Sequence, residues 1–85
     1  MLTKYRLSVI PKYETAHNPL HDELEDAIVT NVELTVGERG YFLAEFQDGS
    51  THSISTSTVS TVEGFENGDI RLITRNTIYL FHKIS

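Results

Sequence analysis

Apolar and polar residues alternate along most of the chain with a period of two, the spacing of a strand with one buried face. Tyr5, Leu7 and Val9 alternate with Lys4, Arg6 and Ser8 over residues 3–10, and Pro11 removes a ladder donor and ends that strand. From Ile28 the alternation resumes: Thr30, Val32, Leu34 and Val36 lie on one side, Asn31, Glu33 and Thr35 on the other. Further strands are predicted over 41–47 and 51–57, and the run from Ile70 to Ile84 reads as a hairpin turning at Arg75-Asn76-Thr77. Only one stretch departs from this period. Asn18-Pro19 is a helix-start signal, with Asn as N-cap and Pro at the first helical position. Leu20, Leu24, Ala27 and Ile28 follow at helical spacing, and Asp22 and Glu23 sit where the helix dipole favours negative charge. A short helix near residues 19–27 is expected.

Loop length decides which face each strand residue occupies, because a slip of one residue inverts the pattern. Glu38-Arg39-Gly40, Gln47-Asp48-Gly49 and Glu66-Asn67-Gly68 all fit a three-residue loop closed by a left-handed glycine. Such loops set Val36 opposite Phe42, Leu34 opposite Ala44, Val32 opposite Phe46, Phe42 opposite Ile54 and Val62 opposite Leu72. They also place Glu63 against Arg71 as a complementary pair. The expected core is then Val32, Leu34, Val36, Phe42, Ala44, Phe46, Ile54, Val62, Ile70 and Leu72. Two-residue loops would mix the faces.

The expected architecture is mainly β: residues 1–85 as one domain, a small antiparallel barrel of five to six strands, SH3-like or Sm-like, with one short helix. An odd-numbered last turn would add Ile78, Leu80 and Ile84 to the core. The opposite face of that hairpin would present Arg71, Ile73, Arg75, Thr77, Tyr79, Phe81 and Lys83, with Leu43 and Phe65 near it. Arg71, Ile73, Arg75, Tyr79 and Phe81 are the expected contact residues, since Tyr, Phe and Arg anchor protein interfaces. The structural alternative is that strand 3–10 or the helix covers this face.

Composition narrows the function classes. The chain has 85 residues and no cysteine, so neither a disulfide framework nor a thiolate zinc site is available. No run approaches the roughly 18 apolar residues of a membrane span, and the N-terminus lacks an apolar leader; a cytoplasmic protein is expected. With 12 acidic against 7 basic residues the net charge is −5, which disfavours sequence-independent attraction to nucleic acid. A single-stranded nucleic-acid binder using the same basic and aromatic face is therefore the second reading.

No catalytic or metal site is predicted, and no cofactor. The serine- and threonine-rich run 50–61 has His52 as its one nearby candidate base, but no strand-turn-helix elbow surrounds any of its serines. His17 and His21 are four apart, with Asp22 and Glu25 close by, yet His17 precedes the expected N-cap and falls outside the helical turn. The expected function is a non-enzymatic accessory module that binds a protein partner or self-associates, as a homodimer for instance.

Two resemblances bear on that expectation. Ile73-Thr74-Arg75-Asn76-Thr77-Ile78-Tyr79-Leu80 resembles the second conserved segment of Sm and Sm-like RNA-binding barrels, where an Ile-Arg turn joins the last two strands. Asn76 replaces the usual glycine, the Asp and Asn of the first segment have no counterpart, and no binding residue carries over. The pattern Thr56-Ser57-Thr58-Val59 with Thr74-Arg75-Asn76-Thr77-Ile78-Tyr79 is similar to that of small uncharacterised phage and prophage proteins. That similarity implies an accessory role on a host protein.

Overall fold

The computed structural model describes residues 3–13 and 19–84. Six strands, β1 (Tyr5–Pro11), β2 (Ile28–Glu33), β3 (Arg39–Glu45), β4 (Thr51–Gly64), β5 (Ile70–Thr74) and β6 (Thr77–Lys83), pair in chain order with antiparallel neighbours. β6 returns to β1 and closes a barrel. The small antiparallel barrel expected from the alternation is the observed fold.

A helix, α1 (Pro19–Leu24), precedes β2 and is shorter than the helical spacing predicts. Strand pairing ends it: the Asp26 N–H donates to the Leu7 carbonyl at 2.8 Å, and the Leu7 N–H donates to the Ala27 carbonyl at 3.0 Å. Asp26 takes a left-handed φ of 64° to make that turn. Asn18, the expected N-cap, and His17 lie outside the described residues.

Two of the three glycine-closed loops form as predicted. Phe46 and Ser50 bracket one, Phe65 and Asp69 the other, with Gly49 (φ 87°) and Gly68 (φ 94°) left-handed. Phe42 therefore pairs with Ile54, Val62 with Leu72, and Glu63 with Arg71. The third loop differs. Gly37, not Gly40, takes the positive φ, at 91°. Gly40 lies buried in β3, where a Cβ would stand 2.9 Å from Leu34 Cδ2 and 3.1 Å from Thr56 Oγ1. Asn31, with φ 54°, accompanies a register shift in β2, and Val29 rather than Leu34 faces Ala44. Val36 is consequently 62% exposed instead of in the core, while Val32, Leu34 and Phe46 are partly buried against it. Val62, paired with buried Leu72, is 36% exposed and also lies outside the core.

β4 serves two neighbours. Its first half pairs with β3 and its second with β5, with register shifts near Arg39/Tyr41 and Val59/Thr61 where the sheet turns. Small Ser and Thr side chains suit such a bend. Inside, Phe42, Tyr79 and Phe81 meet edge to face, with ring centroids 5.5 Å apart for Phe42–Phe81 and 6.2 Å for Phe42–Tyr79. Leu7, Leu24, Val29, Val59 and Leu72 pack around them, each at most 1% exposed.

Candidate functional site

The last hairpin is where structure and expectation part. Ile73 pairs with Ile78, Leu72 with Tyr79, Arg71 with Leu80 and Ile70 with Phe81. Only Arg75 and Asn76 lie beyond the Thr74–Thr77 level, so the link is even-numbered. Neither takes a positive φ, so no primed turn forms. Thr74 holds the link with its side chain: its hydroxyl donates to the Thr77 carbonyl at 2.9 Å and accepts the Thr77 N–H at 3.2 Å.

One residue of slip inverts β6. Thr77, Tyr79 and Phe81 point inward and are buried; Ile78, Leu80 and His82 point outward. Tyr79 and Phe81, two of the five expected contact residues, are core residues at 6% and 0% exposure. Ile78 and Leu80 leave the expected core for the outer wall, and Ile84, beyond β6, is 45% exposed.

The other three expected residues stay outside. Arg71 is partly exposed and committed to its cross-strand neighbour: one Nη2 lies 2.7 and 2.8 Å from the two Glu63 carboxylate oxygens. Its Nε is buried with no acceptor among the described residues. Ile73 is partly buried and Arg75 exposed.

Pairing on both sides of β6 builds a new outer surface. Ile10 of β1 lies opposite Ile78, and Ile78 lies opposite Ile73 of β5. Three isoleucines thus cross three strands in one row on one face, where paired Cβ atoms stand about 4.5–5.5 Å apart. Ile10 is 47% exposed. Leu80 continues the apolar strip along β6, beside Ser8 and Arg71, toward a cleft of about 410 Å³ that it lines with Phe65, Ile70 and His82. The sequence reading missed Ile10, Ile78 and Leu80. For Ile78 and Leu80 the signal is the unbroken apolar run Ile78-Tyr79-Leu80-Phe81, in which period two marks no face.

The seam beside this wall is blunted against strand addition. β1 pairs with β2 at Tyr5–Val29 and Arg6–Ile28. Beyond them the Val9 N–H donates to Glu25 Oε2 at 2.9 Å, and Pro11 has no N–H to offer.

The hydroxyl run forms a polar network at the opposite loop. Ser50 Oγ donates its one proton to Asp48 Oδ1 and lies 2.9 Å from His52 Nε2, so the imidazole must be the donor there. Serine stands between acid and base, whereas a nucleophilic serine hands its proton to a histidine that the acid orients. The Ser50 contacts hold the Asp48 carboxyl below its usual range. His52 stacks on Phe46 at 4.4 Å. His21 is buried, and no cluster of three metal-ligating side chains occurs among the described residues.

No family model, curated protein or solved structure matches the chain. Among the described residues no helix is long and apolar enough to cross a membrane.

Proposed function

We propose that this protein is a non-enzymatic binding module whose contact surface is the outer wall of β1, β6 and β5. The observation that carries the reading is the Ile10–Ile78–Ile73 row, continued by Leu80, on the outside of a closed barrel. Aliphatic side chains in register across three strands form a contiguous apolar strip, the kind of surface that marks a contact site. Arg75 and the Arg71–Glu63 pair rim it with polar groups, as in protein interfaces generally.

Arg71, Ile73 and Arg75 keep their expected place in this surface; Ile10, Ile78 and Leu80 replace Tyr79 and Phe81. Burial of those two rings takes away the two aromatics that the nucleic-acid reading interleaves with the basic residues of this hairpin face, which favours a protein partner over single-stranded nucleic acid. A cytoplasmic accessory role on a host protein, as the likeness to phage and prophage proteins implies, and an SH3-like or Sm-like strand arrangement belong to the same proposal.

The test is the double variant Ile10→Ser with Ile78→Ser. It should keep the wild-type circular dichroism and a cooperative melting transition, lowered by no more than a few degrees, while losing self-association in sedimentation, or losing a partner identified by affinity capture and reconstituted from purified components. A folded double variant that retains the interaction contradicts the reading.

A further inference from the structure

Resting on that docking wall, we propose that the segment it receives is acidic as well as apolar, and that its carboxylates run off the isoleucine row onto a cationic end of the barrel. Three backbone links build that end. The Lys12 N–H donates to the Asn76 carbonyl at 3.0 Å, the Arg75 N–H donates to the Thr58 carbonyl at 3.2 Å, and Thr58 pairs with Arg39. Lys12, Arg39 and Arg75 are thereby gathered from three separate parts of the chain.

The isoleucine row leads directly into this cluster. Ile10 is two residues before Lys12, and Ile73 is two residues before Arg75. All three cations are exposed, and none is in an ion pair among the described residues. Among the described residues, Glu38 in the β2–β3 loop precedes Arg39 directly and is the acid next to it in sequence. Setting the three aside leaves four basic residues against twelve acidic ones (7 − 3 = 4), so positive charge is concentrated here on a chain of net charge −5.

That distribution selects the partner's chemistry. A long polyanion would extend past the cluster onto acidic surface, since screening at physiological salt is only about 8 Å. A short acidic stretch joined to aliphatic side chains meets cations at one end and the isoleucine row along its length. Exposed Tyr13, next to Lys12, adds an apolar flank with a hydroxyl at its tip.

Fluorescence anisotropy with a labelled Val–Glu repeat peptide tests this, alongside a Val–Lys repeat, a Ser–Glu repeat and an oligo(dT) probe. The Val–Glu peptide should bind best and should weaken with added salt. Lys12→Glu with Arg39→Glu and Arg75→Glu should weaken it about tenfold or more, given three exposed charge contacts. Ile10→Ser with Ile78→Ser should weaken it too. If the isoleucine variant loses binding while the charge variant and the Val–Lys peptide behave like wild type with Val–Glu, the acidic preference is overturned and the docking wall stands. If the isoleucine variant binds normally, the docking wall itself fails, and this inference with it. Tighter binding of oligo(dT), no binding of the Val–Glu peptide by wild type, or charge variants that disperse a homodimer without affecting peptide binding each overturn the proposal.

Discussion

The Thr74 hydroxyl bridges its own hairpin, accepting the Thr77 N–H and donating to the Thr77 carbonyl, and this side-chain clasp turns Tyr79 and Phe81 into the barrel. Thr74 and Thr77 are both buried, at 0% and 4% exposure, so water is a poor substitute partner for the Thr77 groups. Thr74→Val keeps the shape and removes the clasp. The expected loss is about 1–3 kcal/mol, the cost of leaving buried polar groups unpaired, read as a lower urea midpoint. An unchanged midpoint would show that the clasp does not hold the turn.

Inversion of β6 separates neighbours in sequence by their effect on stability. Phe81→Ala should cost about 3–5 kcal/mol, as for a large aromatic removed from a packed core, a large share of the stability of a small domain. Ile78→Ser, on the outer wall, should cost on the order of 1 kcal/mol or less. Thermal melts of the two variants check the contrast. Equal losses would place both side chains in the core.

Much of this fold was legible from residue pattern, and the failures have local causes. Asp48-Gly49 and Asn67-Gly68 carry glycines that the turn geometry requires, so the Phe42–Ile54 and Val62–Leu72 pairings followed from them. At Arg75-Asn76 no glycine marks the turn; a threonine side chain closes it instead. Four consecutive apolar residues, Ile78 to Phe81, then leave period two silent about which face is inside. Between β2 and β3 the pattern continues smoothly through Asn31, whose left-handed backbone accompanies the shift in register without any apolar signal. Gly40 departs from expectation because a glycine required for close approach looks, in sequence, like one required for a turn. The candidate surface inherited the error of one loop: three of its five residues held their place, and two exchanged with their neighbours.

Gly40 is needed for space. Its N–H donates to Thr56 Oγ1 at 3.0 Å, and an added Cβ would stand only 2.9 Å from Leu34 Cδ2. Gly40→Ala should therefore destabilise by about 1–3 kcal/mol through overpacking, and Leu34→Ala in the same chain should recover part of that loss. A double-mutant cycle in urea measures the coupling. Strict additivity would mean that the two side chains do not compete for the same space.

Asp69 fastens the β4–β5 loop to β6. Its Oδ1 accepts the Lys83 N–H at 2.9 Å, and Oδ2 lies 3.3 Å from His82 Nδ1. The Lys83 N–H, followed by the His82 and Asn67 contacts, holds its carboxyl below the ordinary 3.8. A depressed folded value contributes stability that is present above 3.8 and lost as pH falls through the lower folded value. Asp69→Asn should therefore flatten the acid limb of the stability profile below pH 3.8. Asp48, depressed by Ser50, contributes to the same limb, so Asp48→Asn combined with Asp69→Asn should flatten it further. Chemical denaturation across that range reads both effects; an acid limb as steep in the variants as in wild type would contradict them.

The placement of every proposed contact residue depends on the register of β5 against β6. Cross-strand Hα–Hα and Hα–amide nuclear Overhauser contacts in the isotope-labelled wild-type protein measure it without substitution. Contacts linking Ile73 with Ile78 and Leu72 with Tyr79 are predicted, together with contacts from the Tyr79 and Phe81 rings to Phe42. Contacts linking Leu72 with Leu80 instead would put Tyr79 and Phe81 outside and Ile78 inside, and would contradict the account.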